Sequence, residues 1–262
     1  MEIKAPTFSR LDQNQFFRTL NKRVNDYFKE NNLKKTGNWK LHLKTIIMFT
    51  LLFAPFIAIF FIPVSIWIYL LASVVIGIGM AGVGMNVMHD GNHGSYSTKN
   101  WLNKIMGGSI YILAGNVYNW QVQHNVLHHT YTNIPGHDED LDAGRVIRFT
   151  KEAKWYSFHK FQHYYSIFLY GLLTINWCLT TDFKQMGAYL KRKLSYGNTP
   201  NPKTLWTGLV ISKIVYFGFW IVLPLIFGTA SWWVILLGFF IMHYTAGLIL
   251  SVVFQLAHII DD

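Results

Sequence analysis

An all-α integral membrane fold, with four transmembrane helices in two hairpins under a cytoplasmic histidine-rich helical cap, is predicted by three observations. Apolar residues gather into runs long enough to cross a bilayer, Lys and Arg avoid those runs, and histidines cluster just beyond their ends. A crossing needs ~20 mostly apolar residues, at ~1.5 Å each, for a ~30 Å hydrocarbon core.

Residues 1–44 are polar and basic and contain no short apolar core of the secretory-signal kind, so the first span is expected to serve as the insertion signal. Thr45 to Met88 carries no charged residue, which is enough for two crossings, and Pro63 marks the break between spans at 45–62 and 65–88. A third span at 205–228 is interrupted only by Lys213, and a fourth at 231–256 follows the tight connection Gly228-Thr229-Ala230. Residues 45–262 thus read as one membrane domain behind an amino-terminal segment. Between the hairpins, Trp101 to Trp120 and Trp155 to Asp182 are aromatic but punctuated by polar residues, as expected of interfacial helices lying on or dipping into the bilayer.

Net charge is +10, which in a soluble chain would raise nucleic acid as a partner. Here the basic residues fall at 10 in residues 1–44 and 12 in residues 89–204, with Lys213 the remaining one. That asymmetry places both termini and the middle segment in the cytoplasm and leaves no call for a nucleic-acid partner. Whether the membrane is a bacterial inner membrane or the endoplasmic reticulum is open. The single cysteine, Cys178, excludes an intrachain disulfide and any cysteine-built zinc or iron–sulfur site.

His89 and His93 follow the second span in the sequence His-Asp-Gly-Asn-His, and His124, His128 and His129 form His-Asn-Val-Leu-His-His. Residues four apart share a helix face, so each cluster can aim imidazoles at one ion, and imidazole suits iron, copper, nickel and zinc. The topology puts both clusters, and His258 at the end of span four, on one side of the membrane. Histidines outside the clusters read differently. His159 and His163 sit on an amphipathic surface stretch, His243 lies mid-span, where it is expected to hydrogen-bond within the bundle or to line an acyl path, and His42 and His137 lack a partner at ligand spacing. Asp90 is expected to orient a ligand imidazole, whereas Asp138, Glu139, Asp140 and Asp142 read as a solvated acidic loop. Asn119 and Trp120, just before the second cluster, are candidates for a substrate entrance.

These motifs, with Trp120 to Asn133 and His137-Asp138-Glu139-Asp140, resemble the membrane fatty acid desaturases of acyl-lipids and acyl-CoA from about residue 15 onward. The resemblance implies two iron ions held mainly by histidines from three boxes, and O₂-dependent dehydrogenation of an acyl chain to a C=C bond. Phe254-Gln255-Leu256-Ala257-His258 resembles the place where the family contributes a further ligand, which makes His258 a candidate. A third box, QxxHH, is expected beyond Asp262, so the chain reads as truncated before it, and its own activity is expected to be impaired. The implied partners are a membrane lipid or acyl-CoA substrate and an external electron donor, ferredoxin or cytochrome b5, because residues 1–44 lack the His-Pro-Gly-Gly of a fused cytochrome. A histidine-rich membrane hydroxylase and a non-catalytic lipid- or metal-binding fragment are the alternatives. No HExxH is present to support a zinc protease.

Overall fold

The computed structural model describes Pro6 and residues 13–141 and 144–258, with the backbone alone at 13, 14, 257 and 258. Among these residues there are helices and turns and no strand. An amphipathic helix α1 (Gln13–Glu30) precedes the first hairpin, formed by α2 (Trp39–Phe61) and α3 (Ile66–Asn92). The second hairpin is α8 (Pro202–Phe227) and α9 (Trp232–His258). Between the hairpins lie α4 (Asn100–Gly108), α5 (117–131), α6 (Gln162–Tyr170) and α7 (173–191).

α2, α3, α8 and α9 are each long and apolar enough to cross a membrane, and the chain is a multi-pass membrane protein. The first span begins at Trp39 rather than near residue 45, because the Asn38 side chain accepts from Lys40 N at 3.0 Å and caps the helix there. Their outward faces carry large exposed apolar side chains such as Ile46, Trp67, Leu71, Ile214 and Phe227, as lipid contact requires. Inward, Leu52, Phe56, Ile76, Met80, Trp220 and Leu250 form the main core. α3 is central, gripped by α2 on one side and α9 on the other. Both contacts need a missing side chain: a Cβ at Gly79 would stand 2.5 Å from Leu52 N of α2, and one at Gly77 would stand 2.6 Å from the Met242 carbonyl of α9.

Residues 162–181 dip along the bundle and do not lie flat on it. Ser251 donates to Tyr170 O at 3.1 Å, and Thr174 donates to the carbonyl of His243 at 2.9 Å. His243 lies eleven residues into α9, about 16 Å from its start at 1.5 Å per residue. Its ring nitrogens pair with Thr174 Oγ1 at 2.9 Å and Tyr216 Oη at 2.6 Å, the intrabundle bonding expected of a mid-span imidazole. Lys213, the charge in span three, is buried as well. Its ammonium meets Asp182 Oδ2 of α7 at 2.6 Å, the Trp177 carbonyl at 3.2 Å and the Ala114 carbonyl. Burial pushes the Asp182 carboxyl upward, with the Lys213 ammonium opposing. The carboxylate also accepts from Asn119 Nδ2 at 3.1 Å, so one buried ion pair joins span three to α7 and α5.

Candidate metal centre

Both histidine clusters stand on or beside π-helical turns, Val83–Met88 ahead of His89 and Gln121–His128 through the second cluster. The i→i+5 bonding, seen where His129 N reaches His124 O, widens the turn so that residues four and five apart share one side. An α-helical reading accounts for His124 with His128 but leaves His129 turned away. The π turn brings it in: the His124 ring lies 5.3 Å from that of His128 and 4.7 Å from that of His129, centroid to centroid.

The two clusters, some thirty residues apart in the chain, converge. The His124 ring is 5.2 Å from His89 and 5.0 Å from His93, and His93 is 5.0 Å from His129. Donor atoms of His89, His93 and His124 fall within 4.8 Å of one another, as do those of His124, His128 and Asp140. His124 is common to both groups. Trp120 walls the cluster, stacked on His124 at 4.5 Å and edge-on to His89 and His93 at 5.8 and 5.6 Å. Asn119 is not at a rim: it is fully buried and spends its amide on Asp182. A shallow, open cleft lies beside Trp120, with Gln123, Trp177 and Gln185 in its lining.

Carboxylates orient the imidazoles. His89 Nδ1 stands 3.2 Å from Asp90 Oδ1. His128 Nδ1 is held by both oxygens of Asp138 at 3.1 Å and by Asp140 Oδ2 at 3.2 Å. The expected solvated loop is therefore corrected at Asp138, which is 2% exposed and accepts further bonds from Asn133 N at 2.9 Å and Asp140 N at 3.1 Å. The loop is folded inward by α7 and its C-cap Arg192, with residues 182, 185, 189 and 192 on one face. Asp182 takes Asn119, Gln185 donates to Gln123 at 3.0 Å and to Glu139 at 3.2 Å, Tyr189 donates to Glu139, and Arg192 pairs with Glu139 at 3.6 Å. Gln123 in turn donates to Asp140 at 2.7 Å.

Burial, then repulsion from His89 and His129, lowers the His93 imidazole to about 4, with Asp90 opposing. Burial and the neighbouring imidazoles lower His124 to about 2, and burial lowers His129. His128 is raised, chiefly by its hydrogen bond to Asp138, with burial opposing. Neutral imidazole is the form that ligates, and the low values keep His93, His124 and His129 in it at neutral pH. His124 Nε2 is buried without a hydrogen-bond partner, a cost that coordination of an ion removes. This donor set, imidazoles with a carboxylate, fits iron.

Of the other candidates, the side chain of His258 and all of Asp142 lie outside the described residues. His159 is spoken for, its Nδ1 accepting from Tyr156 N at 3.2 Å and its Nε2 donating to Arg145 O at 3.0 Å. His163 packs on Tyr164 and His42 meets Tyr96 Oη at 3.2 Å, both away from the cluster. His137 is buried against Tyr131 and belongs to neither donor group. Asp138 and Asp140 stand against His128 where the sequence favours a solvated loop. Their signal was the acidic run beside a histidine box, which looks the same whether exposed or folded in.

A model of the fatty acid desaturase family matches residues 64–261. The sn-1 linoleoyl-lipid 6-desaturase of Arthrospira platensis is 32% identical over 247 residues, covering 94% of this chain and 66% of that protein. The enzyme of the same name from Synechocystis sp. is 32% identical over 249 residues, covering 94% and 68%. An acyl-lipid (8-3)-desaturase of Physcomitrium patens is 29% identical over 261 residues, covering 97% and 53%. The chain thus spans about two thirds of the length of the first two and about half of the third. No solved structure matches.

Proposed function

Because the chain belongs to the fatty acid desaturase family, we propose that it introduces a C=C bond into an acyl chain esterified to a membrane lipid. The observation that carries the reading is the convergence of five imidazoles around His124, whose buried Nε2 lacks any other partner. His89, His93 and His124 would hold one iron, and His128 and Asp140, with His129 beside them, would supply donors to the second. Bound iron with O₂ supplies an oxidant able to take hydrogen from an unactivated methylene, which side chains cannot do.

The chain's own residues supply the setting. Asp138 accepts the His128 Nδ1–H and so leaves Nε2 as the donor atom facing the cluster; Asp90 does the same for His89. Trp120 packs against three of the imidazoles, stacked on His124 and edge-on to His89 and His93, and gives the cluster an apolar wall. A lipid-linked substrate, in preference to acyl-CoA, is supported by the names of the three relatives described above, each of which specifies a lipid-borne acyl group. Two electrons per turnover come from a separate ferredoxin or cytochrome b5. Expression of the gene in a host holding such a donor, followed by fatty-acid analysis of the lipids, tests the proposal. A new double bond that disappears in His128→Ala is the expected result, and a hydroxylated chain or an unchanged profile overturns it.

The histidine side of the membrane is proposed to be the cytoplasm, with both termini on it, because all basic residues but Lys213 fall in segments, or at the ends of spans, on that side. Reporter fusions after Phe61 and after Thr229 are expected to face opposite to a fusion at Tyr118. Identical readouts at all three positions would contradict the four-span topology.

A further inference from the structure

Outside the spans, α1 exposes a row of large apolar side chains that the metal centre and the bundle do not account for. Phe16, Phe17, Leu20, Val24 and Tyr27 are 74%, 63%, 46%, 42% and 56% exposed. At ~100° per residue these positions, with Phe28, make one continuous stripe. Arg18, Lys22 and Lys29 project from the opposite side, and Arg23 stands at the edge of the stripe. Nothing among the described residues covers it.

The tether to the first span fixes where this face can go. Leu33 N bonds Phe28 O at 2.8 Å, Lys35 reaches back to Asn25, and Gly37 N bonds Ser95 O at 3.0 Å in the loop after His93. Two residues later α2 begins at Trp39, whose side chain is 67% exposed. α1 is therefore held at the membrane surface, within eight residues of the start of a span. Between residues 13 and 35 six Lys or Arg stand against two acidic residues, so the segment is cationic as well as amphipathic.

We propose that α1 lies in the headgroup layer of the bilayer on the histidine side and that its ligand there is anionic phospholipid. The apolar stripe sinks to the acyl boundary, while Arg23, Lys34 and Lys35 meet lipid phosphates from the stripe's edge and the tether. Continuity with the lipid-facing surface of α2 and the charge complementarity select this occupant over a soluble protein. The inference does not depend on the chemistry proposed for the metal centre.

The test uses the whole chain in nanodiscs, which leave both membrane faces open to reagent, with native Cys178 buried and unreactive. Cysteine is placed on the stripe (Leu20→Cys) or opposite it (Lys22→Cys), with Phe17→Cys and Arg18→Cys as a second pair, and labelling by a hydrophilic maleimide is timed. In discs containing phosphatidylglycerol the stripe positions are expected to label at least about tenfold more slowly than their partners. This difference is expected to shrink in phosphatidylcholine discs and when Arg23, Lys34 and Lys35 are changed together to Gln. Equal labelling of the two faces in anionic discs overturns the proposal. So does protection that is unchanged in neutral discs, or protection in detergent that grows with protein concentration, which would identify a second copy as the occupant.

Discussion

Replacing His124 with alanine is expected to reduce bound metal to background. His124 lies at the meeting point of the two donor groups, so its removal leaves His89 with only His93 and takes from His128 and Asp140 the imidazole they converge on. Asp138→Asn is expected to keep metal but weaken its affinity about 10- to 100-fold, since it removes the charge that orients His128 without touching a donor. His159→Ala is expected to change nothing, because that ring serves Tyr156 and Arg145. Elemental analysis and cobalt titration of the purified proteins separate the three cases. Metal retained in His124→Ala, or lost as fully in His159→Ala, contradicts the assignment.

Lys213→Met is expected to cost about 3–5 kcal/mol, because it strands the Asp182 carboxylate in a buried site. An exposed pair would contribute only about 0–1 kcal/mol, and the 5% exposure of Lys213 and 3% of Asp182 exclude that case. Adding Asp182→Leu to Lys213→Met is expected to recover most of the loss, since two apolar groups leave no charge unpaired. Thermal unfolding in detergent reads the difference. A double variant no more stable than Lys213→Met alone would show that packing, not the ion pair, holds span three to α7. The same node reaches Asn119, five residues before His124, so disturbance of metal binding in Lys213→Met measures how far this brace extends.

The spans were legible because hydropathy and length act along the chain without reference to its partners: an uncharged run from Thr45 to Met88 must cross a bilayer wherever it folds. His89, His93, His124 and His128 were legible for a related reason, since spacing on one helix is a local property. His129 was named with them from the His-His doublet, but the turn that swings it to the side of His124 is π-helical, which depends on tertiary load and which no periodicity announces. Asp138 is one carboxylate in an acidic run, and its burial is decided by Gln185, Tyr189 and Arg192 some fifty residues later, which pull Glu139 inward. Lys213 reads as a blemish in a span until Asp182 and the Ala114 carbonyl are brought to it from two other segments. Sequence alone thus determined the membrane plan, the family resemblance and the ligand types, because each follows from composition and short-range spacing. Only the tertiary structure decided which carboxylates are buried, which histidine is shared and what braces the site, because those depend on contacts between residues distant in the chain.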